Sequence, residues 1–230
     1  MLCLMRIPSE RLAFWFLRLN GFLTIPNFIV HPEGPRDDGA YPQQTDVDVL
    51  GVRFPFRAEN RRRPMPDHPL FMAERRRPMV VLSEVKTGQC GLNGPWTDPE
   101  RQNMQKVLCA GGFRPAGQVD EIARALYGHG VWQDESLVIQ IVCFGNRHNS
   151  GLARSHPSVP QLIWHQEVLP FVYRRFDEYK LEKQMHHQWD EDARQLFEEA
   201  GQVANADDFV ASVEVVDKLC RLHLNSQSLG

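Results

Sequence analysis

Two short β-branched runs carry charged residues where a buried strand should hold none. One is Thr45-Asp46-Val47-Asp48-Val49-Leu50-Gly51. The other is Val80-Val81-Leu82-Ser83-Glu84-Val85-Lys86, closed by Thr87-Gly88. In an extended chain residues i and i+2 share a face. Asp46 and Asp48 therefore point one way, and so do Glu84 and Lys86. If the two runs pair, carboxylates and one ammonium converge on a single patch of sheet. Burying such groups is costly unless they are paired or bind a metal. Acids that converge beside a lysine are the residue types that hold a divalent cation and act on a bound water.

The elements that must position these residues follow from periodicity and turn formers. Ser9 is an N-cap candidate for a helix to about Asn20, with Gly21 at its end. Leu12, Ala13, Phe14, Trp15, Phe16, Leu17 and Leu19 make that helix apolar nearly all round, so it should be largely buried. Glu10 sits at its start, where an acid also suits the helix N-terminus. Phe22 to Val30 reads as a strand interrupted by Pro26. A polar Pro/Gly loop follows to Gln44, then the two charged strands, Asp46 to Arg53 and Val80 to Lys86. Thr97 or Asp98 caps a helix that opens at Pro99, carries Gln102 and Gln105, and ends at Gly111-Gly112. A short helix over Val119 to Leu126 precedes Leu137 to Phe144 (LVIQIVCF), a strand apolar on both faces. A loop from Gly145 to Ser158 carries Arg147, His148, Arg154 and His156. Gln161 to Trp164 reads as the last strand. Helices over about 167–180, 181–200 and 207–222 complete the chain.

The charged strands are separated by an insertion, about 53–79. Arg53, Arg57, Arg61, Arg62, Arg63, Arg75, Arg76 and Arg77 oppose only Glu59, Asp67 and Glu74, a local charge of +5. Prolines at 55, 64, 66 and 69 argue against regular structure there. A basic arm of this kind suits contact with phosphates, with Arg61, Arg62, Arg63, Arg75, Arg76 and Arg77 as its contact residues. The glycine-rich stretch Thr87 to Trp96 lacks the lysine and spacing of a phosphate-binding loop, so no nucleotide role is expected of it. His186-His187, near Asp190 and Asp192, lacks a third ligand at metal-site spacing.

An aspartate in one apolar strand and Glu-x-Lys in the next resembles the PD-(D/E)xK nuclease superfamily, read here as Asp48, Glu84 and Lys86. The likeness runs over residues 8 to 145 and extends toward 179. It implies a restriction endonuclease-like αβββαβ core: an α/β fold with a mixed central sheet flanked by helices, over 1–179. The remaining 180–230 is expected as a helical extension packed on the same domain. It also implies a Mg²⁺ site (Mn²⁺ as substitute) held by Asp48, Glu84 and the Val85 carbonyl. Lys86 would orient or deprotonate the attacking water and stabilise developing charge. Asp46 shares a face with Asp48, and either can be the ligand. Glu10 matches an additional metal-site acid of the family. Gln102 or Gln105 matches the helix glutamine of the RecB-like branch, although Lys106 stands where that branch has a tyrosine. The expected activity is metal-dependent phosphodiester hydrolysis, as a DNA endonuclease in restriction, repair or defence against foreign DNA. The alternatives are an inactive nuclease-fold subunit that binds nucleic acid or a partner protein, and a nuclease acting on RNA. A homodimer or a place in a larger complex is a further expectation.

Bulk properties set the frame. The chain has 230 residues, enough for one domain with elaborations. The net charge of −3 gives no global basic field, so any nucleic-acid contact must be local. Five scattered cysteines without ligand spacing, and no apolar segment of membrane-spanning length, suggest a reduced, cytoplasmic setting.

Overall fold

The computed structural model describes residues 4–30, 45–72, 74, 76–184 and 190–217, with backbone only at 45 and 46. In chain order, β1 (Met5–Pro8) leads into α1 (Ser9–Leu19), then β2 (Leu23–Val30), β3 (Thr45–Arg53), the short helix α2 (Pro69–Met72) and β4 (Met79–Val85). The helical turn α3 (Gly94–Thr97), helices α4 (Asn103–Gly111) and α5 (Val119–His129), and β5 (Val131–Gln133) connect β4 to β6 (Val138–Gly145). Next come α6 (Ser150–Ser155), β7 (Gln161–Ile163) and a π-helical turn over Trp164–Val168. Helices α7 (Leu169–Glu178), α8 (Lys180–Lys183), α9 (Glu191–Gln202) and α10 (Ala206–Ser212) follow, and then β8 (Val213–Val216).

Six strands form a mixed sheet in the order β2-β3-β4-β6-β5, and β7 pairs with β6 past the end of β5. The β2–β3, β3–β4 and β5–β6 pairs are antiparallel; β4–β6 and β6–β7 are parallel. Both faces are covered, so the chain is α/β with helices on either side of the sheet. Val49, Val81, Val142 and Phe144 feed one core with α1 and α7. Leu50, Leu82, Ile139 and Ile141 feed the other with α4 and α5. That double burial is why β6 reads as an apolar run interrupted by Gln140.

Helix α1 is the hub of the first core. Phe16 meets His68, Phe71, Phe144 and Phe171 with ring centroids 5.2–6.2 Å apart. The chain turns after the Asn20 cap at Gly21, whose φ of +82° L side chains rarely adopt. Ser9 is the first helical residue rather than the cap. Pro8 occupies the cap position, without a side-chain hydrogen bond.

The C-terminal part departs from expectation. The helix expected over 207–222 stops at Ser212, and Val213–Val216 pairs in parallel with β1, from Met5↔Val213 to Pro8↔Val216. Three valines in four residues favour the strand. Residues beyond 217 lie outside the described ones. Leu196, Phe209 and Val213 join the same core as α1 and α7. Short elements also occupy segments expected to be connections: β5 and α6, α2 inside the insertion, and α3 in the glycine-rich stretch.

The insertion is pinned by buried charge. Arg53 donates to the Phe71 carbonyl at 2.7 Å and pairs with Asp67, which also accepts from Arg57 at 2.8 Å. Glu59 pairs with Lys183, with Arg57 at 2.5 Å and with Arg175 at 3.0 Å. Arg175 also donates to the carbonyls of Leu19 and Pro66. Burial raises the Glu59 carboxyl, but Lys183, Arg57 and Arg175 outweigh it and hold it below the ordinary glutamate value. Burial, assisted by Arg174 and opposed by Glu167, lowers the pKa of His68. No helix among the described residues is long and apolar enough to cross a membrane.

Candidate functional site

The sheet divides at the two motif strands. The β3–β4 ladder runs from Arg53↔Met79 to Val49↔Ser83 and goes no further. Beyond it, β3 stays with β2 as far as Val30↔Thr45, while β4 stays with β6 as far as Val85↔Phe144. Continuing the lost register by one step sets Asp48 opposite Glu84. The β2–β3 register also skips Asp48, opposite Asn27, whose φ is +49°. Asp48 therefore sits at a break in the pairing on both sides of β3. Its Oδ2 accepts the Val85 N–H at 2.6 Å, so the carboxylate occupies the opening between the strands and replaces a backbone acceptor. Val85 lies between Glu84 and Lys86, so Asp48 reaches the centre of the Glu-x-Lys segment.

Glu84 and Lys86 share a side of β4, as period-two alternation requires. The Lys86 Nζ donates to Glu84 Oε1, and to Asn93 Oδ1 at 2.9 Å. The other oxygen of Glu84 accepts the Trp96 indole N–H at 2.6 Å. The Glu84 side chain is 4% exposed and that of Lys86 27%, so a buried acid adjoins an ammonium that reaches solvent. Trp164 donates its indole N–H to the Lys86 carbonyl at 3.0 Å and stacks on Phe144. Backbone and head group of Lys86 are thus both fixed.

Trp96, Asn93 and Trp164 were not singled out by the sequence reading. Asn93 and Trp96 stand in the glycine-rich stretch, where no period marks a partner for a strand acid. The one available signal was a large aromatic residue in an otherwise small and polar loop. The same stretch carries Cys90, buried beside Cys143 of β6, whose Sγ accepts the Gly91 N–H at 3.2 Å. The neighbouring Cys143 thiol lowers the pKa of Cys90, while the Cys90 thiol and burial raise that of Cys143.

The other predicted residues are dispersed. Glu10 lies half-buried in the first turn of α1. Gln102 is exposed, with the left-handed φ of +53° at the start of α4, whereas Gln105 is partly buried and its Oε1 has no hydrogen-bond partner. Arg61 and Arg62 are exposed on the insertion, Arg63 pairs with Glu182 at 3.3 Å, Arg76 is exposed, and Arg77 pairs with Glu74 at 2.5 Å. The insertion leaves β3 after Arg53 and returns at Met79, the end of the ladder away from Glu84. The side chain of Asp46, together with Arg75 and His186-His187, lies outside the described residues. Among the described residues no group of three or more His, Cys, Asp or Glu side chains converges.

The donors at the strand opening are carboxylate oxygens, the ligands that suit a hard divalent cation. No family model, no curated protein and no solved structure matches this chain.

Proposed function

We propose that the chain is a metal-dependent nuclease of the PD-(D/E)xK type that hydrolyses phosphodiester bonds, as a DNA endonuclease acting in restriction, repair or defence. The observation that carries this reading lies where β3 and β4 separate: Asp48 accepts the N–H of Val85, the residue between Glu84 and Lys86, and the side chains of those two are paired. Strand order also supports it: a buried helix, three antiparallel strands, then a crossover to a parallel strand. Asp48, Glu84 and the Val85 carbonyl would hold Mg²⁺ or Mn²⁺. When bound, the ion supplies Lewis acidity at the phosphoryl oxygens. Lys86 holds the attacking water by hydrogen bonding and stabilises the charge that develops as it adds to phosphorus. Trp96 fixes the Glu84 carboxylate, and Asn93 fixes the ammonium.

One observation favours a second reading, an inactive nuclease-fold subunit that binds nucleic acid or a partner. Both Glu84 oxygens are already engaged by protein donors. The test incubates the protein with plasmid DNA, single strands and RNA in Mg²⁺, Mn²⁺ or EDTA, beside Glu84→Ala and Lys86→Ala. The expected result is DNA cutting that needs the ion and is lost in both variants. Cutting in EDTA, or variants as active as the parent, would sink the mechanism. Binding without cutting in any ion selects the second reading.

A further inference from the structure

Three parallel strands end on the same side of the sheet, and their next residues form one basic edge. β4 ends at Val85 and is followed by Lys86. β6 ends at Gly145 and is followed by Arg147 and His148. β7 ends at Ile163 and is followed, after Trp164, by His165. Neighbouring strands lie about 4.8 Å apart, so this edge spans on the order of 10 Å.

The edge is rigidly laced. Cys90 N–H donates to the Arg147 carbonyl at 2.9 Å, Asn146 N–H to the Gly88 carbonyl at 2.6 Å, and the Gln89 side chain to the His148 carbonyl at 3.1 Å. Gln89 and Arg147 form a parallel bridge. Trp164 joins the third segment to the first through the Lys86 carbonyl. Arg147, His148 and His165 are exposed, and none of their side chains is bound to an acid among the described residues. The nearby Glu167 turns back to accept the Ile163 N–H at 2.9 Å.

The arginine-rich insertion is placed differently. Met79, where it rejoins the sheet, is five residues from Glu84, about 17 Å along an extended strand. Arg53, Arg57, Arg63 and Arg77 are engaged with Asp67, Glu59, Glu182 and Glu74. Their charge holds the insertion on the core.

We infer that the sugar-phosphate backbone of a nucleic-acid strand is held by Arg147, His148 and His165 at the C-terminal edge of β4, β6 and β7, and not by the insertion. This rests on the nuclease reading for its substrate class. Crevices at the carboxyl ends of parallel strands are where open α/β sheets take ligands. Guanidinium and imidazole N–H groups supply donors for phosphate oxygens.

The test is binding in EDTA, where the proposed metal-dependent cutting cannot occur. Fluorescein-labelled DNA and RNA strands are titrated with the full chain by anisotropy over a range of salt. Two triple variants are compared, Arg147→Ala/His148→Ala/His165→Ala and Arg61→Ala/Arg62→Ala/Arg76→Ala, with melting curves to verify folding. The edge variant should lose at least about tenfold in affinity and show a shallower salt dependence, by roughly 0.7 for the lost arginine contact. The insertion variant should bind like the parent. The reverse pattern, or no strand bound by the parent at low salt, overturns the inference. Edge-dependent binding with no metal-dependent cutting upholds the inference and removes the nuclease reading. Glu84-dependent cutting with an unaltered edge variant does the opposite.

Discussion

The hydrogen bond from Trp96 to Glu84 is the most direct point at which to challenge the site. Donor and acceptor are both about 4% exposed and lie 2.6 Å apart. Trp96→Phe removes the donor, leaves a smaller ring, and takes from a buried carboxylate one of its partners. Glu84→Leu removes the acceptor and strands a buried indole N–H. A bond to a charged acceptor contributes about 1.5–3 kcal/mol, and an orphaned buried donor costs about 1–3 kcal/mol. Each single variant should therefore lose about 2–4 kcal/mol once the lost ring volume is included for Trp96→Phe. Replacing both partners by apolar groups is far milder, because neither is then left unpaired. The double variant should consequently be more stable than the summed single losses imply, by about 2 kcal/mol. Guanidinium unfolding of all four proteins, compared at constant m, measures this coupling. Independent sites add to within about 0.5 kcal/mol. Losses that add within that margin would mean that Trp96 does not hold Glu84, and its assignment as a positioning residue would be withdrawn.

The clamp on the insertion and the packing under the site give further expectations. Glu59→Ala removes the shared acid of Lys183 and Arg175, whose side chains are 6% and 2% exposed. Since Glu59 is itself partly exposed, the loss should fall below the fully buried range, at about 2–3 kcal/mol, or roughly 4–12 °C in melting temperature. A variant that melts with the parent would show that the clamp contributes nothing. The same region should weaken with acid in two steps. The folded-state pKa values of His68 and Glu59 both lie below their ordinary values, so each contribution is complete above the unfolded value and is lost as pH falls through the folded one. His68 acts first, from about pH 6.5 downward, and Glu59 below about pH 4. Stability measured against pH should show the first step vanish in His68→Phe, and persistence of that step would refute its assignment. Gly145→Ala would put a β-carbon 2.7 Å from the Cys90 Sγ and 2.9 Å from the Cys90 backbone nitrogen. Backbone cannot give way as a flexible side chain does, so a loss of about 1–3 kcal/mol is expected by thermal unfolding. An unchanged melting temperature would contradict that close packing.

Some of this architecture could be read from the chain and some could not, for identifiable reasons. Glu84 and Lys86 were legible because a strand alternates strictly, and their ion pair follows from that alternation. Asp48 was legible as a partner but not in its manner. Alternation sets it on a face of the sheet, whereas the β3–β4 ladder stops one residue short of it and its carboxylate takes the Val85 N–H in the opening between strands. The insertion was legible as irregular from its prolines and arginines. That it is pinned depends on partners such as Glu59 and Lys183, 124 residues apart, which local pattern cannot join. The β1–β8 pair was missed for the same reason: two four-residue strands, one from each end of the described chain, carry almost no periodicity of their own.

The distribution of polar groups across the sheet supplies the remaining argument. Along β4, Met79 to Leu82 are buried apolar residues, and the same holds for most of β6. Such strands could have continued their ladder to the end with apolar side chains. Instead the β3–β4 pairing stops early, a backbone N–H is satisfied by Asp48, and a nearly inaccessible glutamate is held by an ammonium and an indole. Replacing a buried ion pair by well-packed apolar groups is often neutral or stabilising, by about 1–4 kcal/mol. Stability therefore does not account for this choice of residues. The insertion's charges differ in kind, because they close on one another and fasten a long connection to the core. At the strand opening Glu84 pairs with Lys86, which reaches solvent, Asp48 accepts the Val85 N–H between them, and the neighbouring strands are followed by Arg147, His148 and His165. On the proposed reading each of those groups has a use: the acids would hold the ion, Lys86 the attacking water, and the basic edge the phosphate backbone.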